Sequence, residues 1–99
     1  MLILGVDPGT ATTGYGVIEI YNDTLVPVKF GLIETGKDEA PEKRLHAIHE
    51  QLTYLISKYK PHHMCIEKVF FATNAKTAIR VGQAQGVMLL AASHAHIPV

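Results

Sequence analysis

The chain opens with Met1-Leu-Ile-Leu-Gly-Val-Asp7-Pro-Gly-Thr-Ala-Thr-Thr-Gly-Tyr-Gly-Val-Ile-Glu-Ile20, an apolar run that ends in one aspartate, breaks at Pro8-Gly9 and restarts as a second β-rich run. Leu2 to Asp7 reads as a strand with Leu2, Leu4 and Val6 on one face and Ile3, Gly5 and Asp7 on the other. Apolar residues on both faces predict a central strand covered on both sides. A carboxylate at the end of such a strand is costly unless it meets a cation or hydrogen-bond donors. Asp7-Pro8-Gly9-Thr10 fits a type II turn, with proline second and glycine third.

A second strand follows from about Thr13 to Tyr21. Asn22-Asp23 marks a hairpin, and a third strand runs from about Leu25 to Glu34. Pro27 cannot donate to a ladder, which puts the third strand at an edge. Pro41 opens a helix on which Leu45, Ile48, Leu52, Leu55, Ile56 and Tyr59 form an apolar stripe, and Pro61 stops it. His62 to Val69 is a fourth strand, with Met64 and Ile66 facing one way and Cys65 and Glu67 the other. Asn74 caps a second helix reaching about His94, and Ile97-Pro98-Val99 begins a fifth strand. A helical crossover lets the fourth strand lie beside the first and parallel to it. Asp7 and Glu67 then meet at one end of the sheet.

Two converging carboxylates repel unless one is protonated or a cation lies between them. Mg²⁺ suits such a pair, taking one or two carboxylates together with water and phosphate oxygens. Two ions about 4 Å apart would clamp the attacking and leaving oxygens of a phosphodiester. Gly14 and Gly16 would let a phosphate backbone come close. From spacing alone a second reading stands beside this one: a turn aspartate, and a glutamate paired with a lysine.

The composition bounds both readings. A chain of 99 residues suits one small domain, and 47% hydrophobic residues argue for a packed core. Nine basic and nine acidic side chains cancel, so any polyanion would have to be held by a local patch. One cysteine excludes an internal disulfide, and no apolar run spans a bilayer, so a soluble, cytoplasmic protein is expected. Six histidines lack zinc-site spacing. Cys65 reads as a buried strand residue and His62-His63 as a solvated loop end. Lys43, Arg44, Lys58 and Lys60 read as the solvated face of the first helix.

Ile3 to Val17 resembles the opening of RuvC-type Holliday-junction resolvases. Ile66-Glu67-Lys-Val-Phe70-Phe-Ala-Thr-Asn74 resembles that family's second acidic motif, and Val81-Gly-Gln-Ala-Gln-Gly86 its following helix. The resemblance implies an α/β, ribonuclease H-like mixed sheet in one domain over 1–99, incomplete at its C-terminal side. It implies Mg²⁺-dependent (or Mn²⁺-dependent) hydrolysis of two symmetric strands of a four-way DNA junction by a homodimer, working with a branch-migration helicase.

Asp7 and Glu67 match the family's first two catalytic, metal-binding acids. Phe70 matches an aromatic that stacks on a base, an interaction worth about 1–3 kcal/mol; a core phenylalanine is the other reading. Lys68, Lys76, Arg80, Thr13 and Gly14 are candidate DNA contacts. The family's last two acids lie on a helix beyond Val99, so these 99 residues alone are expected to bind metal weakly and cleave slowly or not at all. Gly82 and Gly86 allow close helix approach at a dimer contact. The competing class is an actin-like or sugar-kinase-like phosphate binder, in which Thr10, Thr12 and Thr13 would hold a nucleotide.

Overall fold

The computed structural model describes residues 1–9, 11–36, 38–67 and 75–99. Its elements are β1 (Leu2–Asp7), β2 (Thr12–Tyr21), β3 (Thr24–Glu34), α1 (Pro41–Tyr59), β4 (His63–Ile66) and α2 (Ala75–His94). The strands form one mixed sheet in the order β3-β2-β1-β4, with β4 parallel to β1 and the other pairs antiparallel. The crossover through α1 therefore places β4 where the sequence puts it.

Each element has a local cause. Asn22 and Asp23 both take positive φ, 48° and 62°, the backbone that a two-residue hairpin needs to match strand twist. Pro27 lies on the edge strand beside a bulge between Val17 and Ile18, where a missing N–H leaves no gap in the sheet interior. Pro41 occupies the first turn of α1, and Lys60 closes that helix in the left-handed region, its N–H donating to the Ile56 carbonyl at 2.8 Å. The expected fifth strand is not formed. Ile97 to Val99 instead follow the outer edge of β4, where the Met64 N–H donates to the Pro98 carbonyl at 2.9 Å.

Both helices pack on the same face of the sheet. Leu4, Val6, Val17, Ile33 and Met64 point to that face and meet Ile48, Leu52, Leu55 and Ile56 of α1 and Ala84, Met88, Ala91 and Ala92 of α2. The predicted α1 stripe is this contact. It extends one position further than expected, because Arg44, four residues before Ile48, is buried at 2% exposure rather than solvated.

Among the described residues no element covers the opposite face of the sheet, which corrects the expectation of a doubly covered β1. Phe30 and Leu32 are each 61% exposed there, and Cys65, expected to be buried, is exposed. The shortest dimension, 21 Å, suits one sheet and one helical layer. No described helix is long and apolar enough to cross a membrane.

Candidate active site

The two acids meet on the open face. Register pairs Val6 with Ile66, so Asp7 and Glu67 follow side by side as β1 and β4 end. The Glu67 N–H donates to the Val6 carbonyl at 3.0 Å, and the Gln85 side-chain amide of α2 donates to the Glu67 carbonyl at 3.4 Å. Both carboxyl groups reach solvent. Glu67 holds its proton above the usual carboxylate range. A hydrogen bond to Asp7 is the main cause, followed by repulsion from the Asp7 charge and by partial desolvation. The Glu67 carboxyl thus lies close enough to Asp7 to feel its repulsion, a conflict that a divalent cation between them would relieve. Their hard oxygen donors suit Mg²⁺ or Mn²⁺ better than a thiolate-preferring metal.

The pair lies on the rim of an open concavity of about 450 Å³, with Gly5, Gly14, Phe30 and Cys65 among its walls. Gly14 is the register partner of Asp7, and a Cβ added there would lie 3.9 Å from the Asp7 Cβ. That glycine keeps the space beside the acid free. Gly16 does not, contrary to expectation. The ring of its cross-strand partner Phe30 lies against it, with Cε1 2.7 Å from where a Cβ would stand. Tyr15 covers Gly31 in the same way on the other face. Aromatic cover of a cross-strand glycine replaces packing that the glycine lacks.

The turn after Asp7 also differs from expectation. No described glycine has positive φ, so Gly9 does not occupy the third position of a type II turn. Glycine is needed there for a steric reason, since a Cβ would run into the Thr12 carbonyl. The turn is tied down from below. Pro8 is buried, the Arg44 guanidinium donates to the Gly9 carbonyl at 2.7 Å, and the Thr35 hydroxyl donates to the Ala11 carbonyl at 3.1 Å. Sequence reasoning missed Arg44 and Gln85. The available signals were the place of Arg44 on the apolar stripe and that of Gln85 within the glycine-bracketed helix motif.

The remaining candidates divide. Thr13 is buried at 1% exposure on the helix-covered face, away from the acid pair. Lys76 is exposed in the first turn of α2, whereas Arg80 is half-buried and close enough to Arg44 to repel its charge. Lys68 and Phe70, with Thr10, Phe71 and the capping Asn74, lie outside the described residues. His62 is more than a solvated loop end. Its N–H donates to the Leu2 carbonyl at 2.8 Å, and its Nδ1 accepts from the Leu2 N–H at 3.0 Å. Among the described residues no three histidine, cysteine, aspartate or glutamate side chains converge as a metal cluster.

Comparison with known proteins fits this geometry. A crossover junction endodeoxyribonuclease RuvC from Pelotomaculum thermopropionicum is 44% identical over 99 residues, covering all of this chain and 60% of that protein. The corresponding protein from Thermotoga petrophila is 46% identical, again over the whole chain and 60% of the relative. A structure of Thermus thermophilus RuvC in complex with a Holliday junction substrate superposes with a TM-score of 0.92 at 27% identity, covering 100% of this chain and 62% of that one. The sheet is accordingly of the ribonuclease H-like type. The chain spans about 60% of the length of the relatives it matches. The family model for crossover junction endodeoxyribonuclease RuvC matches residues 3–99, and the chain belongs to that family.

Proposed function

We propose that the protein is a structure-selective endodeoxyribonuclease that resolves four-way DNA junctions in recombination and repair, with Asp7 and Glu67 as two of its metal-binding catalytic acids. The observation that carries this reading is the placement of the two carboxyl groups side by side on adjacent parallel strand ends, in a chain of this family. A bound divalent cation supplies charge to the scissile phosphate and lowers the pKa of attacking water. Asp7 and Glu67 would hold that cation once Glu67 has given up its proton. Gly14 leaves the approach beside Asp7 free for a phosphodiester. Further acids of the site belong, on this reading, to the part of the ribonuclease H-like domain that residues 1–99 do not include.

The proposed partners are junction DNA and a second copy of the chain, with a branch-migration helicase implied by family membership and a cytoplasmic location. Ile79, Gly82, Gly86 and Leu90 lie along the exposed side of α2, opposite its buried Ala84 and Met88. Nothing lies within 4 Å of a Cβ added at either glycine. An apolar stripe interrupted by two glycines suits close packing against a symmetric copy. Lys68, Lys76, Arg80 and Phe70 are proposed DNA contacts, Phe70 stacking on a base. Thr13 is not, since it faces the core. Its burial also counts against the nucleotide-binding alternative, which needs the Thr13 hydroxyl at the site.

The test is cleavage of a four-way junction by the full-length protein in Mg²⁺, compared with Asp7→Asn and Glu67→Gln. Loss of several kcal/mol of transition-state stabilisation lowers the rate roughly a thousandfold or more. Junction binding should persist in both variants and exceed duplex and single-stranded binding at two salt concentrations. Equal affinity for all three DNAs, or wild-type cleavage by either variant, would overturn the assignment.

A further inference from the structure

Arg44 is a buried cation with few partners among the described residues. Its guanidinium donates to the Gly9 carbonyl at 2.7 Å, its Nε is buried without a hydrogen bond, and no carboxylate pairs with it among the described residues. Burial and the nearby Arg80 charge both make the protonated form harder to keep. An apolar side chain of similar length at this position would fill the space under the turn at lower electrostatic cost. What the guanidinium adds is one short, charge-assisted bond to the carbonyl two residues after Asp7. That carbonyl belongs to a turn already confined on its other side, where Gly9 has no room for a Cβ beneath Thr12.

We infer that Arg44 is a positioning residue: from α1 it fixes the Pro8-Gly9 turn, and through that turn the direction in which β1 presents the Asp7 carboxylate to a divalent cation. The inference rests on the reading of Asp7 and Glu67 as a metal-binding pair. Groups that orient a ligand from behind are typically worth roughly 10–100-fold in metal affinity or activity. Arg44→Met is expected to keep the fold and melting temperature, because it removes a buried charge and leaves the packing. It should nevertheless weaken Mn²⁺ binding to the full-length protein by roughly 10–100-fold, and should shift the Gly9 carbonyl carbon resonance in the metal-free protein. Arg44→Lys, which restores a charged donor, should recover part of both.

The measurements are Mn²⁺ titration by electron paramagnetic resonance, carbon-13 NMR of Gly9, and junction cleavage. Unchanged Mn²⁺ affinity and Gly9 resonance in Arg44→Met would overturn the inference. If Arg44→Met does not fold, the same two readouts on Arg44→Lys decide, an unchanged Gly9 resonance with wild-type affinity again overturning it. Cleavage separates the two ideas. A wild-type protein that binds Mn²⁺ through Asp7 but cuts no junction removes the resolvase reading, while the Arg44 effect on Mn²⁺ still stands or falls by itself.

Discussion

The closeness of Glu67 to Asp7, which raises the Glu67 pKa, makes the site pH-dependent with a definite sign. Glu67 is held above its ordinary range, so the folded protein binds more protons than the unfolded chain across the window from the usual glutamate value up to the raised one. Stability without metal therefore falls as pH rises through that window. Glu67→Gln removes the penalty. In EDTA its melting temperature should exceed wild type at neutral pH, and the difference should vanish below the ordinary carboxylate range. Calorimetry across pH checks this. With metal the dependence reverses, because a cation competes with the proton for the Glu67 carboxyl. Mn²⁺ affinity should fall as pH drops through the raised range, with protons released on binding. A flat profile would mean that the pair does not bind the ion as described. Asp7 was legible as a candidate from its position at a strand end. Arg44 was not, because an arginine beside Lys43 reads as surface; its spacing to Ile48 was the counter-signal.

Helix α1 turns a sequence period into the placement of the acids. Its stripe of Ile48, Leu52, Leu55 and Ile56 packs against the Leu4 and Val6 face of β1, leaving Asp7 on the opposite face. Leu52 is fully buried, so Leu52→Ala should cost about 2–5 kcal/mol in urea denaturation. Gly9→Ala tests a different contact. With no positive φ to lose, any destabilisation comes from collision with the Thr12 carbonyl, an overpacking effect of about 1–3 kcal/mol. The hairpin, the edge strand with Pro27, the parallel β4 and both helices were readable, because each depends on local chemistry or on crossover geometry. The cover of β1 was not. Apolar residues on both faces of a strand say that both could be buried, and not what buries them. The same limit explains Cys65, which looks like a core residue by type and lies on the face that no described element covers.

At the scale of the molecule, two apolar surfaces compete for a partner. One is the α2 stripe with Ile79, Leu89 and Leu90 about half-exposed or more; the other is the open sheet face with Leu25, Phe30 and Leu32. Large exposed apolar patches drive association, and these two differ in kind. A helix stripe broken by Gly82 and Gly86 favours one symmetric contact, whereas a sheet face ending in the edge strand β3 invites open-ended stacking. Residues 1–99 expressed alone should therefore bind a hydrophobic dye and sediment as species that grow with concentration. Phe30→Ser with Leu32→Ser should reduce dye binding and the larger species, at little cost in stability because both side chains are mostly exposed. Leu90→Glu should leave dye binding in place and shift the smallest assembly from dimer to monomer. Sedimentation velocity at several concentrations reads both outcomes. If Leu90→Glu abolished the large species instead, the α2 stripe would be the general contact and the sheet face inert.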